Sequence, residues 1–400
     1  MKRLLYGICG IGLGHMYRQL PILEALRPSH KIAIFAYGES LTYCRAHFAG
    51  DDNIQVIPVA VPYLVGNDDG LDFTASAAHL ANRQDFFTIN AQAFATAEAF
   101  IGTPDMVITD YEPTSAQYAY AHDAPLYTID QQSKYLVGDF PGRLNGFSNA
   151  DEIARLRMFF PVAAKRIVFS FFDVPVREEY RESTLVLPPL LRPSLAQATW
   201  APDADKYVIY LSAQDGFCQS VADVIAVCQQ FGDKTFHLYA KGVQAGQQGN
   251  VMLHPHNDGT FDAHLLTCEG LICTAGHSLL SEAVSLGIPI YAMPLDLYEQ
   301  QMNAHMVQKN GWGVAHATFH TSFFTNFQAT LLHAYQPNGP QSPANKNRHQ
   351  KLAIRLQSPG HRTINSFGVK CWQKSVTPSC LRSKQPRHQP TDWRLCFLWV

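Results

Sequence analysis

The sequence predicts an α/β protein made of two doubly wound halves that face each other across a cleft. Two series of short apolar segments alternate with helical segments, a pattern typical of parallel sheets covered by helices. Residues 187–205 separate the two series and contain four prolines, which indicates a linker. A chain of 400 residues is also too long for one ordinary core, which favours two domains.

The predicted strands come from short apolar runs. They are residues 4–9, 31–37, 54–59, 106–110, 126–129 and 167–172 in the first series, and residues 207–212, 236–240, 251–254, 270–274 and 289–292 in the second. We therefore predict an N-terminal domain at residues 1–190, a proline-rich linker at 191–205 and a C-terminal domain at 206–335. Ligands of such folds bind outside the carboxyl ends of the strands.

Residues 336–400 lack the apolar periodicity of the rest of the chain. From residue 346 onward the chain carries 11 of its 31 lysine and arginine residues but only one of its 33 acidic residues. One interpretation is a basic arm for nucleic acid or anionic lipid, and the other is a poorly ordered terminal extension. Composition favours the extension, so we predict no nucleic-acid partner.

The composition also indicates a compartment. Nine cysteines, none in a C-x-x-C pair, fit buried thiols in a reducing environment. The basic and apolar start of the chain is interpreted as a first core strand rather than a signal peptide, and no run of 18 apolar residues is present. We expect a cytoplasmic protein, and a peripheral contact with a membrane stays open.

A glycine-rich loop follows the first predicted strand, where Gly10, Gly12 and Gly14 precede His15. A dinucleotide-binding fingerprint that begins at Gly10 fails, because its third glycine would fall at His15 and the expected acidic residue about twenty residues later is missing. His15 is then either a base for a hydroxyl proton or a structural residue at a helix start. Glycines that let the backbone approach a ligand favour the first interpretation.

Asp110 ends the predicted strand at residues 106–110 and therefore also lies at a carboxyl end. In one interpretation its carboxylate orients His15 and stabilises the charged imidazole. In the other it only caps the following helix, which is expected to begin near Thr114 or Ser115.

The second series contains the strongest signal for a ligand site. A strand at residues 270–274, a turn at Gly276 and a helix at residues 278–285 offer free backbone N–H groups to an anion. Glu282 projects one turn further along this helix. The pattern suits a phosphate-bearing ligand that also carries hydroxyl groups.

Hydrogen-bonding side chains are concentrated in residues 296–301, which we predict to be a loop. A second helix is expected to begin near Asn303. Two histidine pairs elsewhere, His254 with His256 and His316 with His320, have no third ligand nearby in the sequence. We interpret them as surface or core histidines rather than metal ligands.

Three motifs together show a family resemblance: the loop G-x-G-x-G-H that ends at His15, the acid Asp110 after P-D-x-V-I, and a long C-terminal motif. The last reads A-G-x-S-x-x-x-E-A-x-x-x-G-x-P-x-x-x-x-P and is followed by E-Q-x-x-N-A. The chain resembles inverting glycosyltransferases of the GT-B fold that use UDP-sugars, in particular the MurG-like and UDP-glycosyltransferase branches. The resemblance covers roughly residues 1–335 and implies two Rossmann-like domains, the first for the acceptor and the second for the nucleotide-sugar.

The resemblance also implies roles for individual residues. His15 would be the general base and Asp110 its partner, with no metal and no cofactor beyond the donor substrate. The residues implied to contact the donor are Gly276, His277 and Ser278 at the diphosphate, Glu282 at the ribose hydroxyls, Glu299 and Gln300 at the sugar, and Gly12 and Gly14 in the facing loop. The implied acceptor is a small molecule, a glycan or a lipid-linked compound.

Two departures from the family pattern are visible. Leu279 stands where many relatives place serine or threonine, so a hydroxyl contact to phosphate would move to Ser278. The family's usual final helix is not recognisable in residues 336–400. Two alternative functions therefore stay open: a UDP-sugar 2-epimerase of the same fold, and a non-catalytic nucleotide-sugar-binding subunit.

Overall fold

The computed structural model describes residues 1–212, 219–256 and 259–334. Within these ranges the chain forms two seven-stranded sheets and two small two-stranded sheets, with helices between the strands. The predicted extension at 336–400 lies outside the described residues. The expected α/β class is confirmed.

The first seven-stranded sheet has the order β11-β10-β7-β6-β1-β2-β3, and all its strand pairs are parallel. Two short hairpins, β4-β5 and β8-β9, lie outside this sheet.

The secondary-structure elements of this half of the chain are β1 (Lys2–Ile8), α1 (Leu13–Leu26), β2 (His30–Ala36), α2 (Gly38–His47), β3 (Ile54–Pro58), β4 (Val65–Asn67), β5 (Gly70–Asp72), α3 (Phe73–Ala78), α4 (Phe86–Ile101), β6 (Met106–Asp110), α5 (Pro113–Ala121), β7 (Leu126–Asp130), α6 (Ser133–Val137), β8 (Arg143–Leu144), β9 (Phe147–Ser148), α7 (Ala150–Phe159), β10 (Lys165–Phe169) and β11 (Thr184–Leu187). It also contains 3-10 turns at Leu80–Arg83 and Glu178–Tyr180.

The second seven-stranded sheet has the order β14-β15-β13-β12-β16-β17-β18 and is parallel except for the β14-β15 pair. Its elements are α8 (Pro193–Ala196), β12 (Lys206–Leu211), α9 (Val221–Cys228), β13 (Thr235–Ala240), β14 (Gly246–Gln248), β15 (Val251–Pro255), α10 (Phe261–Thr267), β16 (Gly270–Thr274), α11 (His277–Leu286), β17 (Ile290–Met293), α12 (Tyr298–Lys309), β18 (Gly313–Ala315) and α13 (Thr321–Ala334).

Central strands of both sheets are buried on both faces. Every residue of β6, β7 and β16 is buried, as expected for parallel strands covered by helices on each side. In each sheet the strand order reverses beside the first strand, between β1 and β6 in one and between β12 and β16 in the other. Ligands of doubly wound sheets bind at these points.

The predicted strands at 106–110 and 270–274 are confirmed with their bounds, and the others are shifted by one to three residues at their ends. Three edge strands, β11, β14 and β18, were not predicted. The predicted linker contains the short helix α8. The predicted domain boundaries stay a prediction, although the two sheets fall on either side of residues 191–205.

The prediction that residues 296–301 form a loop is wrong in part. Helix α12 begins at Tyr298, so that Glu299 and Gln300 lie in its first turn. The N-cap residue is Leu297, whose side chain makes no capping hydrogen bond. The usual polar residue that marks a helix start is therefore missing from the sequence at this point.

Candidate active site

The loop after β1 is shaped by close backbone contacts. A Cβ atom on Gly10 would lie 2.1 Å from the carbonyl oxygen of Tyr37, so no larger residue fits there. Gly12 has φ +73° and is the N-cap of α1. His15 consequently lies in the first turn of α1, beside the carboxyl ends of β1 and β6.

Asp110 and His15 contact each other directly. Asp110 lies opposite Ile8 in the β1-β6 register, and its Oδ1 is 3.1 Å from Nδ1 of His15. The alternative role of Asp110 as a helix cap is wrong: the side chain of Glu112 caps α5 instead, accepting from the backbone N–H groups of Thr114 and Ser115. The fully buried Asp110 carboxylate is thus available to hold the imidazole.

Two residues that the sequence did not single out complete the surroundings of Asp110. Arg18 donates from Nε to Oδ2 at 3.0 Å and from Nη2 to Oδ1 at 2.6 Å, and Gln19 donates to Oδ2 at 2.9 Å. Arg18 and Gln19 are also buried. Spacing along α1 could have suggested them, since residues three and four positions after His15 lie on the same face of a helix.

The position of Arg18 bears on the tautomer of His15. Its Nη2 lies 2.5 Å from Nδ1 of His15. A neutral imidazole that accepts from Arg18 at Nδ1 carries its proton on Nε2, whereas one that donates Nδ1–H to Asp110 leaves Nε2 basic. Asp110 favours the second tautomer and Arg18 the first.

Charges around His15 make it a strong base. Burial and the Arg18 cation lower the pKa of His15, but Cys9 and Asp110 outweigh them and raise it to about 9. Burial raises the pKa of Asp110, while Arg18 and His15 more than compensate, so that it lies below its usual value. Asp110 therefore stays ionised in this buried position and stabilises the imidazolium.

A second helix start faces this loop. Gly276 is the N-cap of α11, and its neighbour Ser278 points at α1: a Cβ atom on Gly14 would lie 3.0 Å from the Ser278 hydroxyl oxygen. The N-termini of both helices, each with its unpaired N–H groups, are thus close together. Such an arrangement attracts an anion from two sides.

His277 lies at the same helix start and is buried, with its ring 5.1 Å from that of Phe171. Burial and the nearby cations Lys134 and Arg18 lower the pKa of His277 well below its usual value, so it is neutral. Within the part of the chain that the structure describes, its Nε2 has no hydrogen-bond partner. A buried unpaired nitrogen is costly and suits a ligand atom.

Leu279 is partly buried and packs against the core, whereas the Ser278 hydroxyl faces Gly14. The geometry therefore agrees with a shift of the hydroxyl from position 279 to position 278. Glu282, one turn further along, forms an ion pair with Arg192: Nε and Nη2 of the guanidinium each donate to one carboxylate oxygen at 2.8 Å. Arg192 also contacts Asp262 at 2.8 Å.

The space between the two helix starts is narrow. A cavity of about 20 Å³ is lined by residues of α1, the 189–192 segment and α11, including Gly14, Arg18, Arg192, His277 and Glu282. One water molecule needs a comparable volume. The helix starts and the 189–192 segment therefore leave little free space between them.

Glu299 and Gln300 differ in what they contact. Glu299 accepts from Nε2 of Gln131 at 2.9 Å and so bridges the first and second halves. Gln300 is buried and accepts from the backbone N–H of Leu295 at 3.0 Å. Its carbonyl oxygen therefore fixes the turn before α12.

The end of β7 and the residues after it, 130–134 with the sequence DQQSK, were also not singled out. Lys134 is fully buried and donates from Nζ to Gln131, the partner of Glu299. Burial lowers the pKa of Lys134 to about 8, against the opposite effect of Glu299. The sequence contains a signal that could have identified this segment: an apolar strand that ends in an acid, Asp130, with Lys134 four residues later. Because β7 lies beside β6, these residues lie close to the end of the strand that carries Asp110.

One interpretation of the histidines needs correction. His254 was expected to lack further ligands, but His237 and His264 lie next to it, with one ring nitrogen of each residue within 4.8 Å of the others. The three residues come from β13, β15 and α10. Pairing of parallel strands brings them together, which the sequence spacing does not reveal.

The fold and the facing helix starts define a glycosyltransferase of the GT-B class. A family model described as glycosyl transferase family 1 matches residues 2–331, and the chain belongs to this family. Among the described residues, every helix is too short or too polar to cross a lipid bilayer.

Similar proteins agree with this assignment. Uncharacterized glycosyltransferases from Methanosarcina acetivorans and Methanosarcina mazei are 26% and 24% identical over 348 and 346 residues, in each case covering 78% of this chain and 85% of the relative. The glycotransferase of kitacinnamycin has a TM-score of 0.59 at 16% identity, covering 89% of this chain and 95% of that one. Phytolacca americana UGT2, solved with UDP-2fluoro-glucose and pterostilbene, has a TM-score of 0.58 at 14% identity, covering 89% and 94%. At these identities the solved structures show the shared fold alone.

Proposed function

We propose that this protein is an inverting glycosyltransferase that transfers a sugar from a UDP-sugar to an acceptor hydroxyl, with His15 as the general base. The observation that carries the proposal is the pair of His15 and Asp110 at the first helix start, directly opposite the second helix start at Gly276. The proposed base and the proposed anion-binding turn come close together, since a Cβ atom on Gly14 would lie 3.0 Å from the Ser278 hydroxyl oxygen. The complex of Phytolacca americana UGT2 with UDP-2fluoro-glucose, a protein of similar fold, supports the choice of nucleotide.

In the proposed reaction, Nε2 of His15 takes the proton of the acceptor hydroxyl. The oxygen attacks the anomeric carbon from the side opposite the diphosphate, the bond from that carbon to the diphosphate oxygen breaks, and UDP leaves with the bonding electrons. Asp110 accepts the Nδ1–H of His15 and stabilises the imidazolium that forms. Positioned base catalysis of this kind contributes about 100-fold to 10,000-fold in rate.

The donor would occupy the C-terminal half. In this proposal, backbone N–H groups after Gly276, the Ser278 hydroxyl and Nε2 of His277 meet the diphosphate as negative charge develops on it. Glu282, one turn further along α11, accepts from the ribose hydroxyls, and Glu299 in the first turn of α12 contacts the sugar. The N–H and hydroxyl donors at the start of α11 then stabilise the leaving group, and the proposed reaction uses no divalent cation.

The direct test is a transfer assay with the purified full chain, a panel of UDP-, TDP- and GDP-sugars and a broad set of hydroxyl acceptors. We expect transfer from a UDP-sugar, with inversion at the anomeric carbon of the product by NMR. A retained configuration would contradict the mechanism. Release of UDP and a rearranged sugar from UDP-GlcNAc alone would instead identify an epimerase, and UDP binding without turnover a binding subunit.

A further inference from the structure

Three histidines that have no part in the proposed transfer site meet on one face of the second sheet. His237 lies on β13, His254 on the neighbouring strand β15, and His264 on α10, which packs over that face. All three are half-buried, and each offers one ring nitrogen within 4.8 Å of the other two. None of them contributes to the proposed transfer reaction.

The distances are close to those of a metal site. Nδ1 of His237 and Nε2 of His254 are 3.1 Å apart. Two imidazole nitrogens bound to one zinc ion at about 2.0–2.1 Å in tetrahedral geometry are about 3.3 Å apart. The rings of His237 and His264 are stacked, with centroids 3.7 Å apart, and a ring nitrogen of His264 lies within 4.8 Å of the nitrogens of the other two residues.

The surroundings fix how His264 is oriented. The hydroxyl of Tyr239 lies 2.6 Å from Nδ1 of His264 and 2.8 Å from the hydroxyl oxygen of Thr260. The Tyr239 ring also stacks on His254, with centroids 4.6 Å apart. Metal-binding histidines commonly have one ring nitrogen held by such a partner while the other binds the ion.

We propose that His237, His254 and His264 form a binding site for a divalent transition-metal ion of the zinc type, with water as the remaining ligand. Neutral imidazoles suit zinc, copper and nickel, whereas magnesium and calcium require oxygen ligands. The site is separate from the transfer chemistry. It holds α10 against β13 and β15.

An ion bound to His264 on α10 would also affect the proposed donor site, and this part of the inference rests on the proposed function. The same helix carries Asp262, which pairs with Arg192 at 2.8 Å, and Phe261, whose ring lies 5.6 Å from the Arg192 guanidinium. Arg192 in turn holds Glu282. An ion bound at His264 thus fixes the helix that supports the Arg192–Glu282 pair.

The test compares zinc binding by the chelator-treated full chain and by His254→Gln, using calorimetry and the rise in melting temperature. Histidines and cysteines in residues 335–400 supply background binding, so the difference between the two proteins is the readout. We expect the wild type to bind one more equivalent of zinc than the variant, and magnesium to have no effect. His305→Gln, at an exposed position on α12, is the matched control and should bind as the wild type does.

Equal stoichiometry and affinity in the wild type and in a folded His254→Gln protein would overturn the proposal. X-ray absorption of the wild type loaded with one equivalent of zinc decides the question if the variant does not fold. Three imidazole ligands are expected. Sulfur ligation, or fewer than two imidazoles, would contradict the site. None of these outcomes depends on glycosyl transfer, so the site and the proposed function fail independently.

Discussion

Both carboxylate oxygens of Glu282 are held by the guanidinium of Arg192, at 2.8 Å each. Glu282 is the residue that the family resemblance places at the ribose hydroxyls of the donor. Arg192 belongs to the segment between the two sheets, 90 positions away in the chain. If the proposed donor site is right, the Arg192 guanidinium occupies the carboxylate oxygens that the ribose would use.

Substitutions at the two residues are expected to differ in their effect on UDP binding. Glu282→Gln removes a charged acceptor for the ribose and should weaken UDP binding by roughly 10-fold to 100-fold, the usual value of a hydrogen bond to a charged group. Arg192→Gln should bind UDP at least as tightly as the wild type, because the competing guanidinium is gone. Calorimetric titration with UDP measures both, and an equal loss in both variants would contradict the ribose assignment.

Gly14→Ala tests whether the two helix starts share one ligand. The added methyl group would lie 3.0 Å from the Ser278 hydroxyl oxygen and narrow the space for the diphosphate. Alanine is the better helix former by about 1 kcal/mol, so the melting temperature should not fall. We expect weaker UDP binding in a protein of unchanged or greater stability. UDP affinity equal to that of the wild type would show that the diphosphate binds elsewhere.

The buried pair of Arg18 and Asp110 predicts a large effect on stability. Arg18→Met leaves the carboxylate of Asp110 buried with its main positive partner removed. Breaking a buried pair in this way typically costs about 3–5 kcal/mol. Urea denaturation should show a loss of that order, whereas the exposed pair of Arg3 and Asp105 supplies the control: Arg3→Met should cost less than about 1 kcal/mol. Similar losses in both variants would refute this account of Arg18.

The raised pKa of His15 predicts the pH profile of transfer. A base must be unprotonated, so kcat/KM should rise with pH and level off above a pKa of about 9. Asp110→Asn removes a negative charge that stabilises the imidazolium, so the pKa of His15 falls and the rising limb moves to lower pH. A profile unchanged by Asp110→Asn would show that another group is the base.

The strands of both sheets could be predicted from the sequence because buried parallel strands consist largely of apolar residues. The strand at residues 106–110 begins with three apolar residues, Met106 to Ile108, and is confirmed with its bounds. Helix α12 was placed five residues too late because Leu297, an apolar residue, is its N-cap. The presence of a strand or helix can thus be predicted from apolar periodicity. The start of α12 cannot, because no capping side chain indicates it in the sequence.

The site was only partly accessible from the sequence. Gly12, Gly276 and His15 could be found because turns and helix starts are local features. Arg192 and the cluster around His254 could not, because their contacts join residues far apart in the chain. Contacts of this kind are decided by tertiary packing rather than by spacing.

The central claim is that His15 takes the proton of the acceptor, and the turnover of His15→Ala tests it most directly. Single-turnover transfer from the UDP-sugar should fall by about 100-fold to 10,000-fold, with UDP affinity and melting temperature close to those of the wild type. A folded His15→Ala protein that transfers the sugar at the wild-type rate would contradict the account.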